Sequence, residues 1–283
     1  MANISSIFLL KTIVFGMSIF LSLFYSLLLL FIRSLYKRIH ILILNICFGV
    51  ISTSVYFMVY FIMYEYYIEY LFTERTCTFL FYIQSICLCE CSFAFVTFTI
   101  NRFFAIVYHT EQFFKTKKFM FICIANQWIV GGLVSLPFAF YVNSYCSVPQ
   151  WLLVYTVIIA IIIPVLFTLS LNVAIYKYVH SSSLRIHPQM TTTTVGVMIR
   201  PKPTINRRDL YLLKHTVFMF STFMIGWTPI FSLVALDYSG NISPLVYALL
   251  QVLSVISVFI CMCDLFWCNQ NLRRYIKNKI CAF

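Results

Sequence analysis

Residues Cys77 to Phe103 read CTFLFYIQSICLCECSFAFVTFTINRF. Glu90 is the only acid in this run, and its one cation, Arg102, stands at the far end. A helix rising 1.5 Å per residue crosses the roughly 30 Å of bilayer hydrocarbon in about 20 residues. The run is long enough to span a membrane, and its apolar character leaves water no role as its solvent.

Six more stretches have the same character. The seven lie at approximately 12–33, 40–63, 77–106, 119–142, 151–178, 209–236 and 243–268, separated by polar or basic residues. The predicted fold class is all-α, one membrane domain over 1–283, a seven-helix bundle. The first apolar run, Thr12 to Ile32, is longer than a signal-peptide core and ends in basic residues rather than at a cleavage site. It is read as a retained span. Residues 269–281 alternate apolar side chains with Arg and Lys at helical spacing, which predicts a short amphipathic helix along the membrane surface. The segment Ser181 to Arg208, rich in Ser, Thr and Pro, reads as a linker.

Composition agrees. Of 283 residues, 62% are hydrophobic and 10% charged, against about 25% charged in soluble domains. The net charge of +12 does not point to nucleic acid, because the basic residues lie between apolar runs rather than on one dense face. Eleven cysteines raise the question of zinc. The C-x-C pairs among Cys87, Cys89 and Cys91, and at Cys261 and Cys263, sit in apolar runs without histidine, so they read as small apolar side chains and no metal is expected.

The positive charges fix the expected orientation. Arg33, Lys37 and Arg38, then Arg102, Lys115, Lys117 and Lys118, then Lys177 to Arg208, then Arg273 to Lys279 all fall on one side. Positive charge is retained in the cytoplasm, so the N-terminus is predicted outside and the C-terminus inside. Asn-x-Ser sequons at Asn3 and Asn241 lie on the predicted outer side, Asn241 close to the membrane, so Asn3 is the glycosylation candidate.

With those spans in place, Cys77 opens the third and Asn101-Arg102-Phe103 closes it 25 residues later. Trp128 stands mid-fourth span with Pro137 nine residues on, Pro164 interrupts the fifth, and Gly226-Trp227-Thr228-Pro229 lies in the sixth. In this order and spacing the chain resembles the rhodopsin-like G-protein-coupled receptors, over essentially its whole length. The resemblance implies an extracellular ligand and a cytoplasmic heterotrimeric G protein as partners. It implies a latch at Arg102, with Asp209 as its acid, and activation hinges at Pro164, Trp227 and Pro229. It also implies a disulfide between Cys77 and Cys146. The alternative readings are a plain positive-inside anchor for Arg102, behind the latch in order of preference, and ordinary packing kinks for the prolines; Trp128 is read as packing only.

The departures matter as much. Asn101 replaces the family's acid beside the Arg, and Val50 replaces the intramembrane Asp five residues after Asn45. The seventh-span Asn-Pro-x-x-Tyr motif is missing. Its remnant is Asp264 to Cys268, or a register three residues earlier set by Asn269 to Arg273. Gln84 stands where amine receptors carry Asp, so a biogenic amine is disfavoured. Tyr82, Gln84, Trp227, Phe231 and Gln251 are expected to line the ligand pocket. The acidic loop residues Glu65, Glu69 and Glu74 suit a basic peptide, and a neuropeptide is the expected ligand. Glu90 and Asp264 are acids inside the membrane, where an ionisable residue is a functional suspect by default; each reads as a protonated group, a switch or a hydrogen-bonded structural element.

An enzyme would need converging acids or a zinc motif such as H-E-x-x-H, neither of which is seen, so no catalytic residue and no cofactor are expected. A transporter would show repeats or Gly-broken helices. The competing reading is a receptor-like protein that no longer signals and serves scavenging, trafficking or partner binding.

Overall fold

The computed structural model describes residues 2–31, 39–71, 73–108, 111–142, 147–184, 207–237, 243–268 and 273. Helix α1 runs Ala2–Phe31, α2 Ile39–Tyr66, α3 Ile68–Leu71, α4 Glu74–Val107, α5 Lys117–Tyr141, α6 Gln150–Val157, α7 Ile163–Leu184, α8 Arg207–Leu236 and α9 Pro244–Cys268. A 3₁₀ turn at Phe113–Lys115 precedes α5, and a π-helical segment at Ile158–Ile162 joins α6 to α7. Among the described residues there is no strand, and seven helices are long and apolar enough to cross a membrane. The chain is a seven-helix bundle. The predicted surface helix 269–281 lies outside the described residues, apart from Arg273.

The spans match the sequence reading in number and order, with shifted ends. The first helix begins at Ala2 rather than near residue 12, the third begins at Glu74 and the fifth continues to Leu184. Hydropathy marks what lies in lipid, whereas a helix continues past that boundary until its backbone ladder is broken.

Along α1, Phe15, Ser18, Ser22, Tyr25 and Leu29 are buried while Phe20, Leu23, Leu27 and Leu30 are exposed, the stripe of a helix with one face on its neighbours. The interior is the more polar side. Ser18, Ser22, Thr53, Ser92 and Thr99 are all buried, as expected where lipid is as apolar as leucine and small residues let helices approach. The hydroxyls of Ser18 and Thr99 turn back onto their own helices, donating to the Val14 and Phe95 carbonyls at 2.9 Å, whereas Thr53 reaches across to α4 and donates to the Cys87 carbonyl at 3.0 Å.

Helix α4 is the hub, packing on α2, α5, α7 and α8, and α1 closes the ring by touching both α2 and α9. Where α4 ends, Phe104 stacks on Phe114 at 4.3 Å, and Phe119 meets both edge-on. Thr116 then caps α5 by accepting from the Phe119 N–H at 3.2 Å.

Pro164 explains the interruption in the fifth span. It has no N–H to give to the carbonyl four residues back, and just before it the ladder widens, the Ile163 N–H reaching the Ile158 carbonyl five residues back. Such π turns are found inside long helices where the ladder must take up an extra residue. Pro229 lies inside α8.

Candidate functional site

A cavity of about 160 Å³ opens between the helices toward the Cys77 end of the bundle. Gln84 and Ser85 on α4, Trp227 and Phe231 on α8, and Tyr247, Gln251 and Ser254 on α9 line it, together with Phe15, Phe57, Tyr60 and Phe61 from α1 and α2. Four of the five residues expected there from sequence are present. Tyr82 is not: the helix turns about 100° per residue, and α4 shows the cavity Phe81, Gln84, Ser85 and Leu88 instead.

The α1 and α2 aromatics escaped the sequence reading because nothing in an apolar run says which side faces a cavity. They form a connected wall. Phe15 stacks on Phe57 at 6.0 Å, and Phe57 lies 5.3 Å from Trp227, whose other neighbours are Phe231 at 5.7 Å and Phe223 at 5.9 Å. The Trp227 ring is buried, and its Nε1 has no hydrogen-bond partner among the described residues. No charged side chain is among the residues that line the cavity. Lys11 on α1, itself buried, adjoins two of the lining residues: its Nζ donates to Gln251 Oε1 at 2.6 Å and sits 4.1 Å from the Phe61 ring centre.

At the other end of α4, Asn101 and Arg102 are both buried, and the Arg102 guanidinium lies 5.2 Å from the Phe98 ring. Asp209 falls in the first turn of α8, where its side chain is outside the described residues. Asp264, for which the sequence left open a protonated group, a switch or a hydrogen-bonded element, meets a residue of the facing helix. Its Oδ2 lies 2.7 Å from His215 Nε2 across the α8–α9 contact.

Between the two ends, Glu90 is buried in a four-residue polar chain. Gln127 Nε2 donates to Glu90 Oε2 at 2.7 Å, Asn45 Nδ2 donates to Gln127 Oε1 at 2.9 Å, and Trp128 Nε1 donates to Asn45 Oδ1 at 3.1 Å. Three helices are joined through side chains alone. Trp128 therefore does more than pack, although it also lies 5.4 Å from Phe48. Gly131 makes room for the acid, since a β-carbon there would collide with Glu90 Oε1. That oxygen has no hydrogen-bond partner among the described residues.

Pro164 is fully buried. Gly226 brings α8 against α9, where a β-carbon would meet Ser257 and where Ser254 Oγ donates to the Gly226 carbonyl at 3.0 Å. Cys77 is buried at the start of α4, and its expected partner Cys146 lies outside the described residues. Asn3 falls in α1 and Asn241 outside the described residues.

Seven membrane-spanning helices around a cavity toward the Cys77 end, with a buried arginine toward the other end, define a polytopic receptor-type bundle. Residues 22–264 match the family described as 7 transmembrane receptor (rhodopsin family), and the chain belongs to that family. No curated protein matches the chain.

Proposed function

We propose that the chain transmits an extracellular ligand signal to a cytoplasmic heterotrimeric G protein. One observation carries this reading: a line of aromatic rings runs from the cavity along α8 to Phe95 on α4, one helical turn short of the ring that meets the buried arginine. Phe231, Trp227, Phe223 and Phe95 follow one another at 5.7, 5.9 and 5.6 Å. Phe98, three residues beyond Phe95 on α4, lies against Arg102. A ligand that moves Trp227 thereby presses on packed rings that end at Phe95, one turn along α4 from Phe98 and Arg102. Packed interiors transmit such displacements because they do not compress.

In this reading the Cys77 end is extracellular, the Arg102 end faces the cytoplasm, and the protein resides in the plasma membrane. The excess of Lys and Arg in alternate connections supports that orientation. Cys77 and Cys146 form the disulfide that ties α4 to the following outer loop, Asn3 carries glycan, and Asp209 holds Arg102 in the resting state. Pro164, Trp227 and Pro229 serve as the hinges.

The ligand is a peptide, and the part that enters the cavity is neutral and aromatic or aliphatic. The uncharged lining supports this. Glu65 and Glu69, both exposed around α3, supply the acidic rim for basic residues of the same peptide.

A specific observation favours the competing, non-signalling reading as well. Where the seventh-span motif is missing, the His215–Asp264 contact joins α8 to α9 near the arginine end. The deciding experiment compares basal G-protein activation in cells for the wild type, Arg102→Ala and Asp209→Ala at matched surface expression. The receptor reading expects wild-type signal above background, its loss in Arg102→Ala and a rise in Asp209→Ala. Equal signals at background, persisting when the inner loops of a competent receptor are grafted in, would leave the non-signalling reading.

A further inference from the structure

His215 on α8 and Asp264 and Cys268 on α9 form a cluster that neither the cavity nor the arginine uses. One ligand-type atom from each lies within 4.8 Å of the other two. Asp264 and Cys268 are four residues apart, which places both on one face of the helix, and His215 reaches them from the facing helix. All three side chains are half-buried.

The contacts are not those of an ordinary ion pair. His215 Nε2 and Asp264 Oδ2 are 2.7 Å apart, yet each is a buried atom that makes no hydrogen bond among the described residues. The imidazole nitrogen therefore lies beside the oxygen with its N–H line off it, and a zinc ion between them would open the pair by about half an ångström, to the roughly 3.3 Å of tetrahedral ligands bonded at about 2.0 Å. Cys268 Sγ lies 3.5 Å from Asp264 Oδ1. Tetrahedral zinc bonded to sulfur at about 2.3 Å and to oxygen at about 2.0 Å sets those two ligands about 3.5 Å apart.

We propose that His215, Asp264 and Cys268 bind a transition-metal dication, zinc in the cell, with water as the fourth ligand. Imidazole, carboxylate and thiolate are a zinc ligand set, and three protein ligands with one open position are a common zinc arrangement. On binding, the thiol releases its proton to solvent, so two anionic ligands neutralise the dication. A neutral cluster is suited to a half-buried site near lipid, where net charge is costly. The ion links α8 to α9 close to their ends. This site goes beyond the receptor reading and stands whether or not the protein couples to a G protein.

The test uses the full chain in detergent micelles, stripped of metal and titrated with Co²⁺ as a spectroscopic probe. The expected result is one equivalent bound, with the visible bands of a four-coordinate ion and a thiolate-to-cobalt charge-transfer band, both abolished by added Zn²⁺. Cys268→Ser should remove the charge-transfer band, and His215→Asn and Asp264→Asn should each weaken binding about tenfold or more. Size-exclusion profiles of the metal-free variants establish that they fold, and any two of the three suffice. No stoichiometric binding by the wild type overturns the proposal and leaves a histidine–carboxylate pair. Binding unchanged in all folded variants also overturns it, placing the metal on other cysteines.

Discussion

Gly131 on α5 faces Glu90 on α4 so closely that a single β-carbon would occupy the space of the carboxylate. The acid and the glycine are one structural unit. Gly131→Ala is expected to destabilise the bundle by about 1–3 kcal/mol, the usual cost of forcing extra volume into a packed interior. Gly132, where a β-carbon meets nothing within 4 Å, should tolerate alanine. Thermal unfolding in detergent of the two alanine variants, and of Gly131→Ala combined with Glu90→Ala, checks the pair. Additive losses in the double variant would mean that the two residues are not coupled.

Gln127 holds the middle of the Glu90–Asn45–Trp128 chain. Gln127→Leu leaves Glu90 Oε2 and Asn45 Nδ2 without their shared partner, at about 1–3 kcal/mol for a stranded buried group. Trp128→Phe removes only the terminal donor and should cost about 1 kcal/mol. The ordering of the two melting temperatures is the readout, and a larger loss in Trp128→Phe would contradict it.

Gly226 and Ser257 set the α8–α9 approach beside Trp227. Gly226→Val should lower surface expression and melting temperature sharply, because the bulk meets the Ser257 Cβ as well as its hydroxyl. Ser257→Gly in the same chain should restore part of both. Failure of any rescue would place the damage elsewhere along α8.

Lys11 joins α1 to α9 through Gln251 and lies over Phe61 on α2. Lys11→Met keeps the apolar stem and loses the charge, removing a cation–π contact worth about 0.5–2 kcal/mol and the hydrogen bond to Gln251. A measurable fall in melting temperature is expected, with Lys11→Arg closer to wild type than Lys11→Met. Equal melting of all three would show that the ammonium group contributes nothing there.

The spans were legible because length and apolarity report directly on lipid, and Cys77, Arg102, Trp227 and Pro229 were legible because their order and spacing are. The polar chain was not. Glu90 stood out as an acid in lipid, but its partner Gln127 sits on the next helix, and whether two helices turn those side chains toward each other depends on their rotation about their axes. His215 and Asp264 are farther apart in sequence and met the same limit. A metal site within one segment shows as clustered cysteines and histidines, whereas one assembled from two helices leaves only a four-residue spacing, here at Asp264 and Cys268. Gly131 and Gly132 read alike as neighbours, and only the packing distinguishes the one that faces Glu90.

The π turn at Ile158–Ile162 acts as a phase shifter. One residue beyond the regular helical count would rotate everything after it by about 100° were it not taken up by the wide turn, which leaves Ile175 enclosed while Tyr176 stands out toward lipid. Deleting one residue within the turn would remove the extra residue and the wide turn together, leaving Ile175 enclosed and Tyr176 outward. Deleting one residue just after it, with the turn kept, would swing the rest of α7 by about 100°, bringing Tyr176 inward and carrying Ile175 off the bundle. The composition would scarcely differ between the two deletions and both spans would still cross the membrane, but only the second would present the wrong side to α4.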